Sequence, residues 1–194
     1  MREAGILVLV AVASLGAIVA CSSFSASNDV PDGGSADAGP AVKNLLGNSN
    51  FEKGCAGWSV NRADLTPITA PALVHTGNGS CLVCSTGAKN ELFAQVTTPT
   101  PPGAEFFASV WLRKAPDAAA PPMLTTHIDV VTEPGAGLQA GPLTPTPAVD
   151  GEWKLANALV DVSTSDGGGL VLYVTGTDPG NCYLIDDAVL YRKP

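Results

Sequence analysis

The stretch YLIDDAVL, residues 183–190, places short apolar runs on both sides of two aspartates near the C-terminus. Similar apolar and β-branched runs recur along the chain, at residues 80–84, 92–97, 106–113, 124–132, 153–162, 170–175 and 182–191. Turn sequences rich in glycine and proline separate these runs, and none of them keeps a helical period over about eleven residues. Seven or more short strands separated by such turns predict an all-β sandwich of two antiparallel sheets.

The composition is consistent with one folded all-β domain that follows an unfolded N-terminal part. The chain has 194 residues, of which 21 are glycine and 16 are proline. From residue 44 onward, 14 acidic and 8 basic side chains leave a net charge of -6. An acidic domain without a basic patch repels phosphate backbones, so we do not expect nucleic acid as a partner. We expect a monomer.

The N-terminus predicts export and lipid anchoring. Arg2 precedes an apolar run over residues 5–20, which is shorter than the roughly 20 apolar residues of a membrane span. The run ends in Ile18-Val19-Ala20-Cys21, which resembles a bacterial lipobox. That resemblance implies a signal peptide over residues 1–20 and a lipid on the Cys21 thiol. The alternative is an ordinary signal peptide in which Cys21 has no special role.

Residues 21–43 are predicted to be a flexible tether for a domain over residues 44–194. The tether is composed mainly of serine, aspartate, glycine, alanine and proline, with little apolar surface to bury. Ser22 and Ser23 follow the lipobox cysteine. In bacterial lipoproteins, the absence of aspartate at that place favours the outer membrane, so we expect the domain at the outer membrane or cell surface.

Four cysteines remain after Cys21, and an even number in an exported protein predicts two disulfides with three possible pairings. Cys81 and Cys84 lie in a strand-like run, where residues three apart point to opposite faces, so they should have different partners. Their C-x-x-C spacing also occurs in zinc sites. Zinc is the weaker interpretation, because the chain has no second C-x-x-C and no nearby histidine pair.

Three segments in this order resemble the CenC-like carbohydrate-binding modules that are appended to xylanases and cellulases. The segments are NLLGNSNFE at residues 44–52 with Gly57 and Trp58 after it, HTGNGS at residues 75–80, and YLIDDAVL at residues 183–190. The resemblance spans nearly all of residues 44–194. It implies a galactose-binding-like jelly roll and a non-catalytic, glycan-binding role.

The resemblance also implies a structural calcium ion where the first strand, the loop at residues 75–80 and the last strand meet. The implied ligands are the carboxylates of Glu52 and Asp186 and the carbonyls of Asn50, Thr76 and Gly79. Calcium prefers six to eight oxygen ligands, which this set could supply in part. The alternative is that the two carboxylates are solvated charges at a sheet edge.

The same arrangement implies a pairing for the cysteines. If the segments that hold Glu52 and Ser80 are neighbours, Cys55 lies near Cys81. If the strands that hold Ser80 and Asp186 run antiparallel, Cys84 falls opposite Cys182. The resemblance therefore favours the disulfides Cys55–Cys81 and Cys84–Cys182.

The residues that would bind a glycan are less evident. Six aromatic side chains occupy positions that are typical of a core, namely Phe51, Trp58, Trp111, Trp153, Tyr183 and Tyr191. Strand alternation puts His127 and Asp129 on one face, where Arg113 and Gln95 could join them in a cleft. The alternative is a solvated polar face. The proline-rich segment 138–147 could form a wall of the cleft or be a stiff connector.

An enzyme is not expected, because the sequence shows no nucleophile paired with a base, and neighbouring Asp186 and Asp187 should face opposite ways. We expect a surface lipoprotein with a glycan-binding module. The competing hypothesis is a protein-interaction or structural module of the cell envelope, since the chain carries no glycosidase that a binding module would deliver to its polymer.

Overall fold

Alternation of buried and exposed residues defines the strands in the computed structural model, which describes residues 42–132, 138–146, 149–163, 167–176 and 179–194. In the segment FFASVWLR, Phe106, Ala108, Val110 and Leu112 are buried, whereas the residues between them are partly exposed. Successive side chains of a strand point to opposite faces, so this pattern gives one core face and one outer face.

Eleven strands are described. They are β1 (Ser59–Asn61), β2 (Ala63–Ile68), β3 (Ser80–Ser85), β4 (Asn90–Thr100), β5 (Glu105–Lys114), β6 (Leu124–Val131), β7 (Leu138–Gln139), β8 (Thr144–Pro145), β9 (Lys154–Asp161), β10 (Gly167–Gly176) and β11 (Cys182–Arg192). A single 3-10 turn, Pro71–Leu73, is the one helical element among these described residues. No helix in the described ranges has the length and hydropathy needed to cross a bilayer.

The strands form two antiparallel sheets. The six-stranded sheet has the order β1-β4-β10-β6-β7, and β8 also pairs with β6. The five-stranded sheet has the order β2-β3-β11-β5-β9. Non-consecutive strands are neighbours in both sheets, and the register of β11 shifts between Asp186 and Val189 where it pairs with β5.

The core lies between the two sheets. Phe106 and Tyr183 from the five-stranded sheet belong to the same buried cluster as Leu92, Ile128 and Leu172 from the six-stranded sheet. Burial of apolar side chains of this size contributes about 1.5–3 kcal/mol each relative to exposure. All described residues fall in one compact unit, Pro40–Pro194.

Two disulfides link strands of the five-stranded sheet to residues that are distant in the sequence. Cys55 is bonded to Cys81, and Cys84 is bonded to Cys182. This is the pairing that the family resemblance implied. The physical reason is register, since Cys84 lies directly opposite Cys182 on the neighbouring antiparallel strands β3 and β11.

The seven predicted strand runs correspond to β3, β4, β5, β6, β9, β10 and β11, and the two-sheet sandwich is confirmed. The predicted signal peptide, Cys21, the rest of the predicted tether up to residue 41, and Pro147 lie outside the described residues.

Candidate functional site

The three central strands of the six-stranded sheet present every second residue away from the core. On β4, Leu92 and Ala94 point into the core, and on β6 Ile128 and Val130 do so. The alternate residues therefore form what we call the outer face of the six-stranded sheet. They are Glu91, Phe93 and Gln95 on β4, Thr175, Tyr173 and Val171 on β10, and Thr125, His127 and Asp129 on β6.

A row of rings crosses the middle of this outer face. Phe93 is in register with Tyr173, and Tyr173 is in register with His127. The Phe93 and Tyr173 ring centroids are 5.6 Å apart with an interplanar angle of 40°. The His127 and Tyr173 rings are stacked, with centroids 4.7 Å apart and an angle of 11°. We call these three residues the aromatic row.

One side of Phe93 borders a small residue. On the edge strand β1, the register partner of Phe93 is Ser59, whose side chain is short and exposed. On its other side Phe93 packs against Tyr173, which is itself stacked on His127. The Phe93 ring is therefore the member of the aromatic row that has room beside it for an apolar ligand surface.

Polar side chains flank the aromatic row on both sides. Glu91, Thr175 and Thr125 form one register row, and Gln95, Val171 and Asp129 form the other. Asn61 of β1 donates a hydrogen bond from Nδ2 to Glu91 Oε2 at 3.2 Å. Of the nine outward residues named above, none is lysine or arginine, so the charged groups of this part of the face are carboxylates.

The segment that follows β6 holds the Asp129 carboxylate, which lies beside His127. Asp129 Oδ1 accepts a hydrogen bond from the backbone N–H of Gly141 at 3.1 Å and lies 3.8 Å from His127 Nε2. The His127 side chain is only 13% exposed. Its Nδ1 is buried and has no hydrogen-bond partner in the described part of the chain.

Burial changes the ionisation of both polar rings in the row. It lowers the pKa of the His127 imidazole, and the carboxylates of Asp129 and Glu91 only partly oppose this shift. Burial also raises the pKa of the Tyr173 hydroxyl, and the same two carboxylates raise it further. At neutral pH the face therefore presents an uncharged imidazole and a protonated hydroxyl.

The structure brings together three of the four residues predicted for a cleft. Gln95, His127 and Asp129 share the outer face of the six-stranded sheet. The expectation that Arg113 joins them is wrong, because β5 belongs to the other sheet. The Arg113 guanidinium instead donates hydrogen bonds to the carbonyls of Gly151 at 2.7 Å and Ala72 at 2.6 Å.

The prediction that six aromatic residues occupy core positions is partly wrong. Phe51, Trp58 and Tyr183 are buried in the core, as expected. Trp111, Trp153 and Tyr191 are partly exposed, and the first and last of these lie on the outer face of the five-stranded sheet. Sequence reasoning also missed Phe93 and Tyr173. Strand alternation within residues 92–97 and 170–175 was the signal that could have identified them.

Two of the residues predicted to bind calcium, Glu52 and Asp186, contact the same loop beside the five-stranded sheet. Glu52 accepts hydrogen bonds from the backbone N–H of Asn78 at 2.7 Å and from its side-chain amide at 3.3 Å. Asp186 is fully buried and accepts hydrogen bonds from the backbone N–H groups of His75 at 2.9 Å, Thr76 at 3.4 Å and Asp187 at 2.8 Å. The two carboxylates therefore bind the same loop, residues 75–78.

Glu52 and Asp186 supply carboxylate oxygens at this corner, the type of ligand that calcium prefers. A Cβ on Gly77 would lie 2.0 Å from Glu52 Oε1, and one on Gly79 would lie 2.4 Å from the Phe51 carbonyl oxygen, so glycine at both positions lets the loop pack closely against residues 51 and 52. Burial raises the pKa of Asp186 to about 6, although its backbone donors lower it. In the described residues, no group of three or more His, Cys, Asp or Glu side chains could hold a metal ion. The predicted set depends instead on two carboxylates with main-chain carbonyls.

The sequence matches no protein-family profile and no curated protein. Solved structures are similar at low identity. The CBM22-1 xylan-binding domain of Paenibacillus barcinonensis Xyn10C is 20% identical, with a TM-score of 0.59 over 80% of this chain and 97% of that domain. TmCBM61, solved in complex with β-1,4-galactotriose, is 20% identical, with a TM-score of 0.53 over 78% of this chain and 99% of that chain.

A third similar structure is the enzymatically active domain of bacteriophage CBA120 tailspike protein 4. It is 11% identical, with a TM-score of 0.57 over 77% of this chain. The chain spans only 21% of that structure, whereas it spans almost all of the two binding modules. The described part of the chain therefore has the jelly-roll β-sandwich fold of carbohydrate-binding modules of families 22 and 61.

Proposed function

We propose that the folded part of this protein is a non-catalytic module that binds a neutral glycan on the outer face of the six-stranded sheet. The observation that carries the proposal is the aromatic row of Phe93, Tyr173 and His127, which is flanked on both sides by polar side chains. Sugar rings have apolar C–H faces that pack on aromatic rings, and their hydroxyls need placed donors and acceptors.

Each part of the face has a role in this proposal. The Phe93 ring stacks against a sugar ring, because its side toward Ser59 is not filled by a second large side chain. The Tyr173 hydroxyl and the Gln95 amide offer donors, and Glu91 offers an acceptor. The carboxylates of Glu91 and Asp129, without an outward lysine or arginine on these strands, disfavour uronate or sulfated chains.

The similar solved structures support a glycan as the ligand. One is described as a xylan-binding domain, and another was solved with β-1,4-galactotriose. At about 20% identity these likenesses establish the fold, and the ligand of this chain is an inference from its own outer face together with that fold.

Affinity gel electrophoresis of the purified protein in xylan, β-1,4-galactan and β-glucan tests the proposal. We expect retardation by at least one polymer and a weaker interaction in Phe93→Ala, by about two- to tenfold for removal of one stacking ring. Phe107→Ala is the matched control. Phe107 is also partly exposed and packs on a tyrosine, Tyr191, with ring centroids 5.3 Å apart, but it lies on the other sheet.

Equal retardation of wild type, Phe93→Ala and Phe107→Ala would place the binding surface elsewhere. No retardation by any neutral polymer would favour the competing function, a protein-interaction or structural module of the cell envelope.

We also propose that the corner formed by Glu52, loop residues 75–79 and Asp186 holds a structural calcium ion. Each carboxylate has about four lone-pair positions, and the hydrogen bonds described above use two at Glu52 and three at Asp186. The carbonyls of Asn50, Thr76 and Gly79 would complete the set. When bound, the ion would neutralise two carboxylates that come from opposite ends of the domain.

Finally, we propose that the protein is exported and attached to a membrane, at the outer membrane or cell surface, through a lipid on Cys21. Support comes from the leader and lipobox-like sequence and from four half-cystines, which are typical of proteins that fold in an oxidising compartment.

A further inference from the structure

We propose that His127 is a positioning residue, which holds Tyr173 in the aromatic row only while its own ring is uncharged, so that mild acid releases the bound glycan. The inference rests on the proposed function and adds a mode of regulation to the same site. It follows from the packing of His127 and from the groups that surround it.

The geometry of His127 favours one neutral tautomer. Nδ1 is buried and has no hydrogen-bond partner in the described residues, whereas Nε2 faces Asp129 Oδ1 at 3.8 Å. A buried N–H without an acceptor is unfavourable, because the group loses its hydrogen bonds to water and gains none in the protein. The proton therefore belongs on Nε2, next to the carboxylate, and Nδ1 keeps its lone pair.

A second proton on this ring would have to occupy Nδ1. The groups that face His127 are Asp129 on its own strand, Tyr173 on β10 and Glu91 on β4. The segment 138–146, which contains β7 and β8 and lies along the edge of β6 opposite β10, has the sequence LQAGPLTPT and carries no charge. Although the two carboxylates attract a cation, burial outweighs them and lowers the pKa of His127.

Protonation therefore favours a rotated ring whose Nδ1 reaches water. Rotation would break the stacking between His127 and Tyr173, whose ring centroids are 4.7 Å apart. Tyr173 is the central member of the row, with Phe93 on its other side. The arrangement that binds the glycan excludes a proton from His127 Nδ1. The affinity for the glycan therefore falls as the pH falls, by up to about tenfold per pH unit below the pKa of His127 in the free protein.

The free protein provides the first test, which needs no ligand. The chain contains only two histidines, His75 and His127, so the imidazole C–H signals can be assigned in a proton NMR titration from the spectrum of His127→Gln. We expect the His127 midpoint below the unperturbed value of about 6.5. We also expect the ring signals of Tyr173 to shift with the same midpoint. A His127 midpoint at or above 6.5, or Tyr173 signals that do not follow it, would overturn the inference.

The second test measures binding to insoluble xylan and to β-1,4-galactan between pH 4.5 and 8. Wild type should lose affinity on acidification, and His127→Gln, which cannot gain a charge, should have a nearly flat profile. If His127→Gln keeps the wild-type profile, the carboxylates Glu91 and Asp129 cause the pH effect and the inference is wrong. If neither polymer binds at pH 8, the glycan proposal fails, and the NMR titration alone decides whether His127 positions Tyr173.

Discussion

Gly141 lets the segment after β6 close against the candidate binding face. Its backbone N–H donates to Asp129 Oδ1 at 3.1 Å, and a Cβ at this position would lie 2.1 Å from the Ile128 carbonyl oxygen. A side chain of any size would therefore push the segment away from β6. The hydrogen bond to Asp129, which helps to hold that carboxylate beside His127, depends on this close approach.

We therefore expect Gly141→Ala to destabilise the protein by about 1–3 kcal/mol, which is the usual cost of overpacking. In a domain of this size, that loss lowers the melting temperature by roughly 2–12 °C. Thermal unfolding followed by circular dichroism measures the change. Gly151→Ala is the control, since no atom lies within 4 Å of a Cβ placed on Gly151. Equal melting temperatures for the two variants would show that the segment accommodates the extra methyl group.

At the residue scale, the alternation of side chains along a strand predicts which residues share a face. It does not predict which of the two sheets the strand joins. It correctly placed His127 and Asp129 together, because two residues two apart on one strand always share a side. Arg113 was misplaced because its strand, β5, pairs with β9 and β11 and not with β4 or β6. Phe93 and Tyr173 were missed, since an aromatic residue in an apolar run is typical of a core position. Its pairing partners on the neighbouring strands are needed to place it on the outer face.

At the scale of elements, the corner beside β11 joins the beginning and the end of the domain through one loop. Glu52 precedes β1, Asp186 lies in β11, and both bind residues 75–78 between them. The three matching sequence segments predicted this meeting. The cysteine pairing followed from it, since antiparallel register places Cys84 opposite Cys182.

If this corner holds calcium, removal of the ion should destabilise the domain. At a free calcium concentration about 100 times the Kd, binding stabilises the folded state by about 2.7 kcal/mol, so EGTA should lower the melting temperature by roughly 5–10 °C. Re-addition of calcium should restore it, and magnesium should not. Glu52→Gln should remove most of the response to EGTA.

Glu152→Gln is a suitable control for Glu52→Gln, because the Glu152 side chain is 82% exposed and forms an ion pair with Lys154, far from the loop at residues 75–78 in the sequence. An unchanged melting temperature of the wild-type protein in EGTA would remove the metal from the proposal. Glu52 and Asp186 would then serve only as hydrogen-bond acceptors for the backbone of the loop.

At the same scale, the short edge elements β1, β2, β7 and β8 were not predicted. The strand β2 has the sequence ADLTPI, in which Pro67 interrupts the pattern, and β7 and β8 contain two residues each. Proline is tolerated at a sheet edge because it removes only a hydrogen bond that the edge does not use. Such strands are defined by the partner that they pair with, which local sequence does not specify.

At the scale of the whole molecule, the proposed membrane attachment would depend on Cys21, which lies outside the described part of the chain. We expect wild-type protein expressed in a bacterial host to incorporate labelled palmitate and to fractionate with membranes. Cys21→Ala should lose the label, because the acceptor thiol is absent. Wild-type protein without label would remove the lipid from the proposal, and the alternative of an ordinary signal peptide would then hold.

The Cys84–Cys182 disulfide also has a mechanical consequence for the domain. If a force acts between the segments before Cys84 and after Cys182, the Cys84–Cys182 bond carries the load past the interval that it encloses, whose ends are 98 positions apart and which contains β4 to β10. Most of the sandwich, including the aromatic row, would then stay folded under tension, and a reducing agent would greatly increase the length to which the stretched chain can extend.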